Sequence, residues 1–251
     1  MPTQILFENA NHKNILLEDF TSGQMVQANQ HVILHNGQAM LLDPGGHKVY
    51  SGALAELSAV MPTSALQYVF FSHQDPDIIA AANGWLMITE ARGLLSQLWM
   101  RFITHFGVDE MVMDRIDAVP DEGMILDLAG CPLMILPAHF LHSPGNFQIY
   151  DPVSKILYSG DLGASLGQSY TIVQNFEDHI QYMEGFHRRY IASGRTLKLW
   201  AKMVRQLDIE VIAPQHGAMF TQKEHVNRFI DWMEGLSCGV DIMDEVYRLP
   251  G

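Results

Sequence analysis

The sequence is short of cysteine and of basic residues. Its two cysteines, Cys131 and Cys238, lie far apart, so they predict buried thiols in a reducing compartment and argue against a disulfide framework. Lysine and arginine number 15 against 28 aspartates and glutamates, which gives a net charge of −13. So acidic a chain is a poor match for nucleic acid or an anionic membrane, and neither is expected as a partner.

The chain also lacks long hydrophobic runs, linkers and repeats. No uninterrupted apolar run is long enough to span a bilayer. Residues 1–5 contain no basic segment followed by an apolar one, so no export signal is expected. Hydrophobic residues make up 48% of the 251, enough for a sizeable core, and we expect one cytoplasmic domain over residues 1–251.

Strand and helix patterns alternate in blocks along the chain. Residues 4–50 predict β structure, including a hairpin with the turn Asn36-Gly37, because both turn positions need a positive φ. Helical spacing predicts a helix over 90–106, while residues 85–88 predict a short strand. The order strands, helices, strands, helices predicts two β-α halves, packed sheet to sheet with helices outside.

One stretch carries an unusual set of metal-type donors. A hydrophobic run over 66–71 predicts a buried strand, which stops before His73, Asp75 and Asp77. Three donors within five residues, directly after a buried strand, suggest a loop folded around a cation. The same residues also fit a polar turn that contains Pro76.

The pattern of an apolar strand followed by a donor occurs three more times. The donors are His142, Asp161 and His216. Each has an ordinary alternative, since His142 could cap a turn, Asp161 could be a turn residue and His216 could be a loop histidine. Four such strand ends together favour a shared site, because open sheets place ligands at these edges.

These motifs resemble those of the metallo-β-lactamase fold. That fold's usual loop reads HxHxDH and is followed by a histidine in an HTPG-like context, an aspartate in GD and a late histidine. Here His142-Ser-Pro-Gly and Gly160-Asp161 stand in those contexts. The resemblance covers nearly the whole chain and implies an α/β protein, a four-layer αββα sandwich.

Within that fold, the sequence is more similar to the metal domain of flavodiiron proteins, whose loop reads HxExDH. The spacings from Asp77 to His142 and from His142 to Asp161 are close to those of that family. The tract from 178 through 217 also resembles the flavin-less relatives called oxygen-binding diiron proteins.

The resemblance implies ligands for a pair of metals. They divide into His73, Asp75 and His142 for metal one, and Asp77 and His216 for metal two, with Asp161 bridging both. Three carboxylates and three imidazoles form a harder, more anionic set than the histidine-rich sites of zinc hydrolases. We therefore expect two iron ions, with zinc as the alternative.

Two positions depart from the flavodiiron pattern. Asp75 stands where a glutamate is usual, so its shorter side chain requires a closer loop or a shifted metal. Ile78 stands where a histidine would serve metal two. Metal two could then be weakly held, or its open position could be the O₂ site. Alternatively, another histidine, such as His35 or His139, could replace the missing ligand.

Three residues on a predicted helix could also line the site. They are His179, His187 and Tyr190. A surface or packing role is the alternative for each.

The resemblance implies chemistry with O₂ or NO. Flavodiiron enzymes reduce these gases with electrons from a flavin on a C-terminal flavodoxin-like domain, but no phosphate-cradling strand, glycine-rich loop and helix follow His216. We expect a cytoplasmic di-iron protein that binds or senses O₂, with slow O₂ or NO reduction where an external electron donor is present. A signalling or redox protein is the expected partner, and the head-to-tail dimers of relatives imply a homodimer.

Two other functions stay open. The first is a metal-dependent hydrolase of thioesters, lactones or phosphodiesters, which would use a metal-bound hydroxide of lowered pKa. The acidic surface counts against a nuclease version of this hydrolase. The second is a binding module with a degenerate site, which six remaining donors argue against.

Overall fold

The first of two sheets in the computed structural model has seven strands. The model describes residues 3–17, 19–244 and 246–250. The strands are β1 (Gln4–Glu8), β2 (His12–Leu16), β3 (His31–His35), β4 (Gln38–Leu42), β5 (Leu66–Phe70), β6 (Arg92–Ser96) and β7 (Ile116–Val119). They lie side by side in chain order. Strands β1 to β4 are antiparallel, and β4 to β7 are parallel.

The second sheet has five strands and follows the first in the chain. Its strands are β8 (Met124–Leu128), β9 (Cys131–Pro137), β10 (Phe147–Asp151), β11 (Ile156–Gly160) and β12 (Val211–Pro214). Their spatial order is β12-β11-β10-β9-β8, and β12 runs parallel to β11. At one edge the backbone N–H of Phe147 donates to the carbonyl of Ser72 at 2.9 Å, which ties the second sheet to the first.

Among the described residues, six helices cover the outer faces of the two sheets. They are α1 (Tyr50–Val60), α2 (Pro76–Ile79), α3 (Ala82–Ile88), α4 (Phe176–Tyr190), α5 (Gly194–Val204) and α6 (Lys223–Gly235). Helices α1 to α3 share a core with the first sheet, around Leu57 and Trp85. Helices α4 to α6 share another with the second sheet, around Leu197 and Phe229.

A third core lies between the sheets and is built from strand residues such as Ile33, Phe70 and Ile149. The architecture is therefore helices, sheet, sheet, helices, which confirms the four-layer αββα prediction. Burial of apolar side chains on both faces of both sheets is the main stabilising term of such a fold. The prediction of one domain over residues 1–251 includes Met1, Pro2, Glu18, Glu245 and Gly251, which lie outside the described residues, and it stays a prediction.

The predicted hairpin at Asn36-Gly37 is confirmed. It joins β3 to β4, and its two turn residues have φ angles of 47° and 79°. Asparagine tolerates this left-handed conformation better than most residues, and glycine adopts it freely. The turn fixes the register in which His31 pairs with Leu42.

The predicted helix over 90–106 is wrong for its first half. Residues 92–96 form β6, and a 3₁₀ segment follows at Gln97–Phe106. Adjacent Leu94 and Leu95 point to opposite faces of the sheet, and each is buried in a different core. A strand covered on both faces is apolar throughout, so its run merged with the stripe that follows and imitated a helix.

The predicted strand over 85–88 is also wrong, because these residues form the second half of α3. A short apolar run does not distinguish a buried strand from a buried helix by periodicity. No helix among the described residues is both long enough and apolar enough to cross a membrane.

Candidate metal centre

All six predicted donors meet at one edge of the sandwich. His73 and Asp75 lie in the loop after β5, and Asp77 lies in the first turn of α2, which follows that loop, so the first half of the sandwich supplies three of them. The second sheet supplies the other three from the ends of its strands: His142 follows β9, Asp161 follows β11 and His216 follows β12. Strand ends from both sheets reach the same edge, which is how residues far apart in sequence come together.

Asp161 lies at the middle of this cluster. Its Oδ2 is 3.9 Å from the Nε2 of His73 and 3.9 Å from the Nε2 of His142. Its Oδ1 faces the other way, 3.5 Å from the Nε2 of His216. The two oxygens of one carboxylate thus point to two different groups of donors.

The first group contains Asp75 and two histidines. The Oδ2 of Asp75 is 2.9 Å from the Nε2 of His142 and 3.6 Å from the Nε2 of His73. The two imidazoles meet edge to face, with ring centroids 5.1 Å apart. One nitrogen from each ring and one carboxylate oxygen therefore face a common point.

The second group contains Asp77 and His216. The Oδ2 of Asp77 is 3.3 Å from the Nε2 of His216 and accepts a hydrogen bond from the side chain of Gln215 at 3.4 Å. Fewer donors surround this point than the first. The difference corresponds to Ile78, whose side chain is fully buried in the core between the first sheet and its helices.

Outer contacts orient the imidazoles. The Nδ1 of His216 donates to the backbone carbonyl of Gln27 at 2.6 Å, which directs Nε2 toward the carboxylates. The Nδ1 of His73 lies 3.0 Å from the hydroxyl of Ser72 and leaves Nε2 facing the centre. Metal-bound histidines are usually held in this way, by a hydrogen bond on the nitrogen that does not bind the metal.

Buried polar atoms at the centre indicate that the residues fit a cation. Among the described residues, the Nε2 of His73 and the Oδ1 of Asp161 are buried without a hydrogen-bond partner. Leaving such atoms unpaired is costly, and a metal ion satisfies both. His73, His142 and Asp161 also each offer one ligand atom within 4.8 Å of the others.

The charges of the centre shift its pKa values in opposite directions. Burial favours neutral histidine at His216, but the hydrogen bond and charge of Asp77 and the charge of Asp161 outweigh it and raise the pKa to about 9. Burial would raise the pKa of Asp75, but its bonds to His142 and His73 hold that pKa well below its usual range. Without a metal, protons therefore balance the carboxylates, and metal binding must displace them.

A cavity of about 420 Å³ opens onto the donors. Its apolar wall includes Met25, Val26, Leu166, Phe186 and Tyr190. The rings of Phe186 and Tyr190 stack on each other at 4.9 Å, and both contact the ring of His142. A small apolar molecule would meet these side chains on its way to the centre.

Of the three residues on the predicted helix, one lines the cavity and two are buried in the surrounding structure. Tyr190 lines the cavity, which was one of the two roles expected for it. His187 does not line the cavity and is fully buried. His187 Nε2 accepts from the N–H of Gly163 at 2.8 Å, so this side chain holds the turn that follows Asp161. His179 is buried against Tyr170, whose hydroxyl lies 2.9 Å from its Nδ1.

Neither suggested substitute for the missing histidine lies at the centre. The two ring nitrogens of His139 face the backbone carbonyls of Pro144 and Asp121 at 2.9 and 2.7 Å. His35 lies at the far end of β3 and contacts His12 at 3.0 Å. Neither His35 nor His139 therefore replaces the histidine ligand that is missing at position 78.

Asp43 is a supporting residue that the sequence reasoning missed. It follows β4, so it repeats the pattern of a donor after an apolar strand. Its Oδ1 accepts the backbone N–H of Ser72 at 2.8 Å and so fixes the start of the donor loop. Burial raises its pKa to about 6, although the bond from Ser72 opposes that rise.

Comparison with known proteins finds one family model that matches residues 26–217. Its description is ODP family beta lactamase. A solved structure of the peroxy diiron species of the chemotaxis sensor ODP is 40% identical, with a TM-score of 0.88 over 98% of this chain and 100% of that one. The apo state of the chemotaxis sensor ODP from T. denticola is 39% identical, with a TM-score of 0.87 over 98% and 99%.

More distant structures share the fold. The rubredoxin oxygen:oxidoreductase of Desulfovibrio gigas is 14% identical, with a TM-score of 0.78 over 92% of this chain and 61% of that one. An uncharacterized protein of Methanocaldococcus jannaschii is 22% identical over 205 residues, which are 79% of this chain and 50% of the relative. The chain thus spans about half the length of that curated relative.

Proposed function

Because the chain belongs to the ODP family of β-lactamase-like proteins, we propose that it is a non-haem di-iron protein that binds O₂ and acts as an O₂ sensor. One observation carries the proposal. The two oxygens of Asp161 face separate groups of donors, with His73 and His142 on one side and His216 on the other. A carboxylate in this position fits a bridge between two metal ions.

The proposed ligands divide as the geometry divides. His73, Asp75 and His142 would hold one iron, and Asp77 and His216 the other, with Asp161 shared. Two imidazoles and a carboxylate with open positions suit non-haem Fe(II). Iron, when bound, supplies the reversible one-electron change on which O₂ binding depends. Zinc is the less favoured occupant, because three carboxylates make the set harder than that of zinc hydrolases.

The chain's own residues prepare the centre for a gas. The carbonyl of Gln27 keeps a proton of His216 on Nδ1, so Nε2 is the nitrogen that would bind a metal once its own proton is displaced. Met25, Val26 and Phe186 give the cavity an apolar wall, which favours a small uncharged molecule over a charged one. Because Ile78 offers no donor, a second metal held by Asp77, His216 and Asp161 would keep an open position, and we propose that O₂ would bind there.

Sensing requires a partner, and we propose a signalling protein that reads the state of the centre. Slow reduction of O₂ or NO would need an external electron donor. A homodimer and a cytoplasmic location belong to the same proposal. The hydrolase alternative is less supported, since the 40% identical relative is a chemotaxis sensor with a diiron centre.

The test is iron loading without O₂, followed by mixing with O₂. We expect two irons per chain by elemental analysis, and a new visible absorption band when the diferrous protein meets O₂. Asp161→Ala should lose most of the iron and the band. Asp178→Ala, which removes an exposed carboxylate on α4, is the matched control and should keep both.

Two outcomes would overturn the proposal. Asp161→Ala with two irons would remove the bridging role of Asp161. Diferrous wild-type protein that shows no spectral change in O₂ would remove O₂ binding, whatever its iron content.

A further inference from the structure

A second cluster of metal-type donors lies at the end of the sandwich opposite the iron centre. His12 begins β2, His35 ends β3 and Cys131 begins β9, so the three side chains come from both sheets. His12 and His35 are opposite each other in the register of β2 and β3. The iron centre lies at the other end of these strands, roughly 14 Å away along a five-residue strand.

The donors of this cluster face one another in the interior. The Nδ1 atoms of His12 and His35 are 3.0 Å apart. One ligand atom of each, together with the Sγ of Cys131, lies within 4.8 Å of the other two. Cys131 and His12 are 1% and 2% exposed, while His35 is 8% exposed and so lies nearest to solvent.

The hydrogen bonds of the cluster are compatible with a bound cation. The Nε2 of His12 bonds to the Oδ2 of Asp151 at 2.7 Å. Asn14 and Ser154 also donate to that oxygen, at 2.8 and 2.7 Å, so the carboxylate is held in place behind His12. Two Nδ1 atoms at 3.0 Å have room for only one proton between them, and a metal ion in its place would be bound by both lone pairs.

We propose that His12 Nδ1, His35 Nδ1 and Cys131 Sγ form a site for one zinc-class divalent ion. Two imidazoles and a thiolate suit zinc or cobalt rather than a pair of irons among carboxylates. A tetrahedral zinc with bonds of about 2.05 Å places its two nitrogens about 3.3 Å apart, close to the observed separation. A water molecule, which reaches the ion past His35, completes the coordination.

Asp151 acts on this ion through His12. A carboxylate that accepts the outer N–H of a ligating histidine fixes the tautomer of the ring and raises its basicity. On binding, the thiol of Cys131 releases its proton to solvent, and the proton shared by the imidazoles moves to the Nε2 of His35. Burial raises the pKa of Cys131 to about 12, so the metal must supply the free energy that ionises the thiol.

The site would join the two sheets at their far end. His12 and His35 belong to the first sheet and Cys131 to the second, and nearby the side chain of Asn36 donates to the carbonyl of Ala129 at 3.0 Å. A bound ion would therefore link the two sheets here, independent of the O₂ chemistry proposed above.

Cobalt distinguishes this site from the iron centre, because none of the six donors at the iron centre is sulfur. The full-length chain is titrated with Co²⁺ alone in the absence of O₂. We expect a thiolate-to-cobalt charge-transfer band in the near ultraviolet that saturates at one thiolate per chain. Cys131→Ser should abolish it, and Cys238→Ser should keep it, since Cys238 is the other buried free thiol.

Further variants keep the test decisive if Cys131→Ser does not fold. His35→Gln changes the most exposed member and should weaken cobalt binding or abolish the band. Asp151→Asn should weaken binding by about 10- to 100-fold while the band stays. Asp161→Ala should keep the band unchanged, because it affects only the iron centre.

The proposal fails if wild-type protein shows no thiolate band at saturating Co²⁺. It also fails if the band survives in Cys131→Ser or disappears in Cys238→Ser. Zinc retained after dialysis by Asp161→Ala, at one ion per chain, and its loss in the double variant with Cys131→Ser, would support the assignment with the natural ion.

Discussion

Acid should weaken the metal-free protein through His187. This side chain is fully buried, its Nδ1 donates to the carbonyl of Met183 at 2.6 Å, and its Nε2 accepts from Gly163. The bond at Nε2 requires the neutral ring, because a protonated Nε2 cannot accept from Gly163. Burial lowers its pKa from 6.5 to about 4, although the bond to Met183 opposes that shift. The folded chain therefore resists a proton that the unfolded chain accepts.

The sign and size follow from that difference. A histidine whose pKa is lowered by folding contributes stability above pH 6.5, and this contribution is lost as the pH falls toward 4. Between about pH 7.5 and about pH 5, His187 alone should reduce the free energy of unfolding by about 2 kcal/mol. Against a total of about 5–15 kcal/mol, one residue of this kind is a large fraction.

The variant His187→Leu isolates this residue from the other titrating groups. At about pH 7.5 it should cost about 1–3 kcal/mol, because the N–H of Gly163 is left buried and unpaired. At about pH 5 this loss of stability should be smaller by about 2 kcal/mol, because acid lowers the free energy of unfolding through residue 187 only in the wild-type protein. Urea unfolding of chelator-treated protein at both pH values gives the four free energies.

Leu197→Ala is the matched control, because Leu197 belongs to the same core and carries no titrating group. Its cost should be the same at both pH values. If the cost of His187→Leu were equally independent of pH, the buried neutral ring would not be the cause of acid sensitivity, and the reasoning would be refuted.

Three further predictions concern the metal centre. Ile78→His should not raise the iron content, because the side chain at 78 is buried in the core between the first sheet and its helices. It should instead lower the free energy of unfolding by about 1–3 kcal/mol, measured by urea unfolding. Tyr190→Ala should cost about 1 kcal/mol of stability through the lost stack on Phe186 and leave the iron content unchanged by elemental analysis, since Tyr190 only lines the cavity. Iron uptake should release a proton from His216, whose pKa is about 9 without metal, so affinity should fall about tenfold per pH unit from this group as the pH drops from 9 toward 7. Calorimetry in buffers of different ionisation enthalpy measures that release, and uptake without proton release would contradict the pKa of His216.

The layered fold and the positions of the six donors could be predicted because both depend on local patterns. Asp161 in Ser-Gly-Asp-Leu-Gly and His216 in Pro-Gln-His-Gly follow apolar strands, and strand ends share an edge. Asp43 stands in the same pattern, but nothing local distinguishes a residue that holds the loop from one that faces the centre. That difference depends on the bond to the N–H of Ser72, which only the folded chain reveals.

The errors arose where tertiary contacts outweigh sequence pattern. Leu94 and Leu95 look helical together with the apolar stripe that follows, yet each is buried on a different side of one strand. The cluster of His12, His35 and Cys131 carries no motif, because its members come from three strands and two sheets. The spacing of these three residues along the chain does not indicate that their side chains lie close together in the fold.

The division of the six predicted donors between the two halves of the chain has a consequence for the order of folding. His73, Asp75 and Asp77 belong to one half of the chain, and His142, Asp161 and His216 to the other. A half that has folded alone offers at most three of the six, so tight retention of iron must await docking of the two halves. If the proposed di-iron site forms, iron content therefore reports that the two halves of the chain have docked.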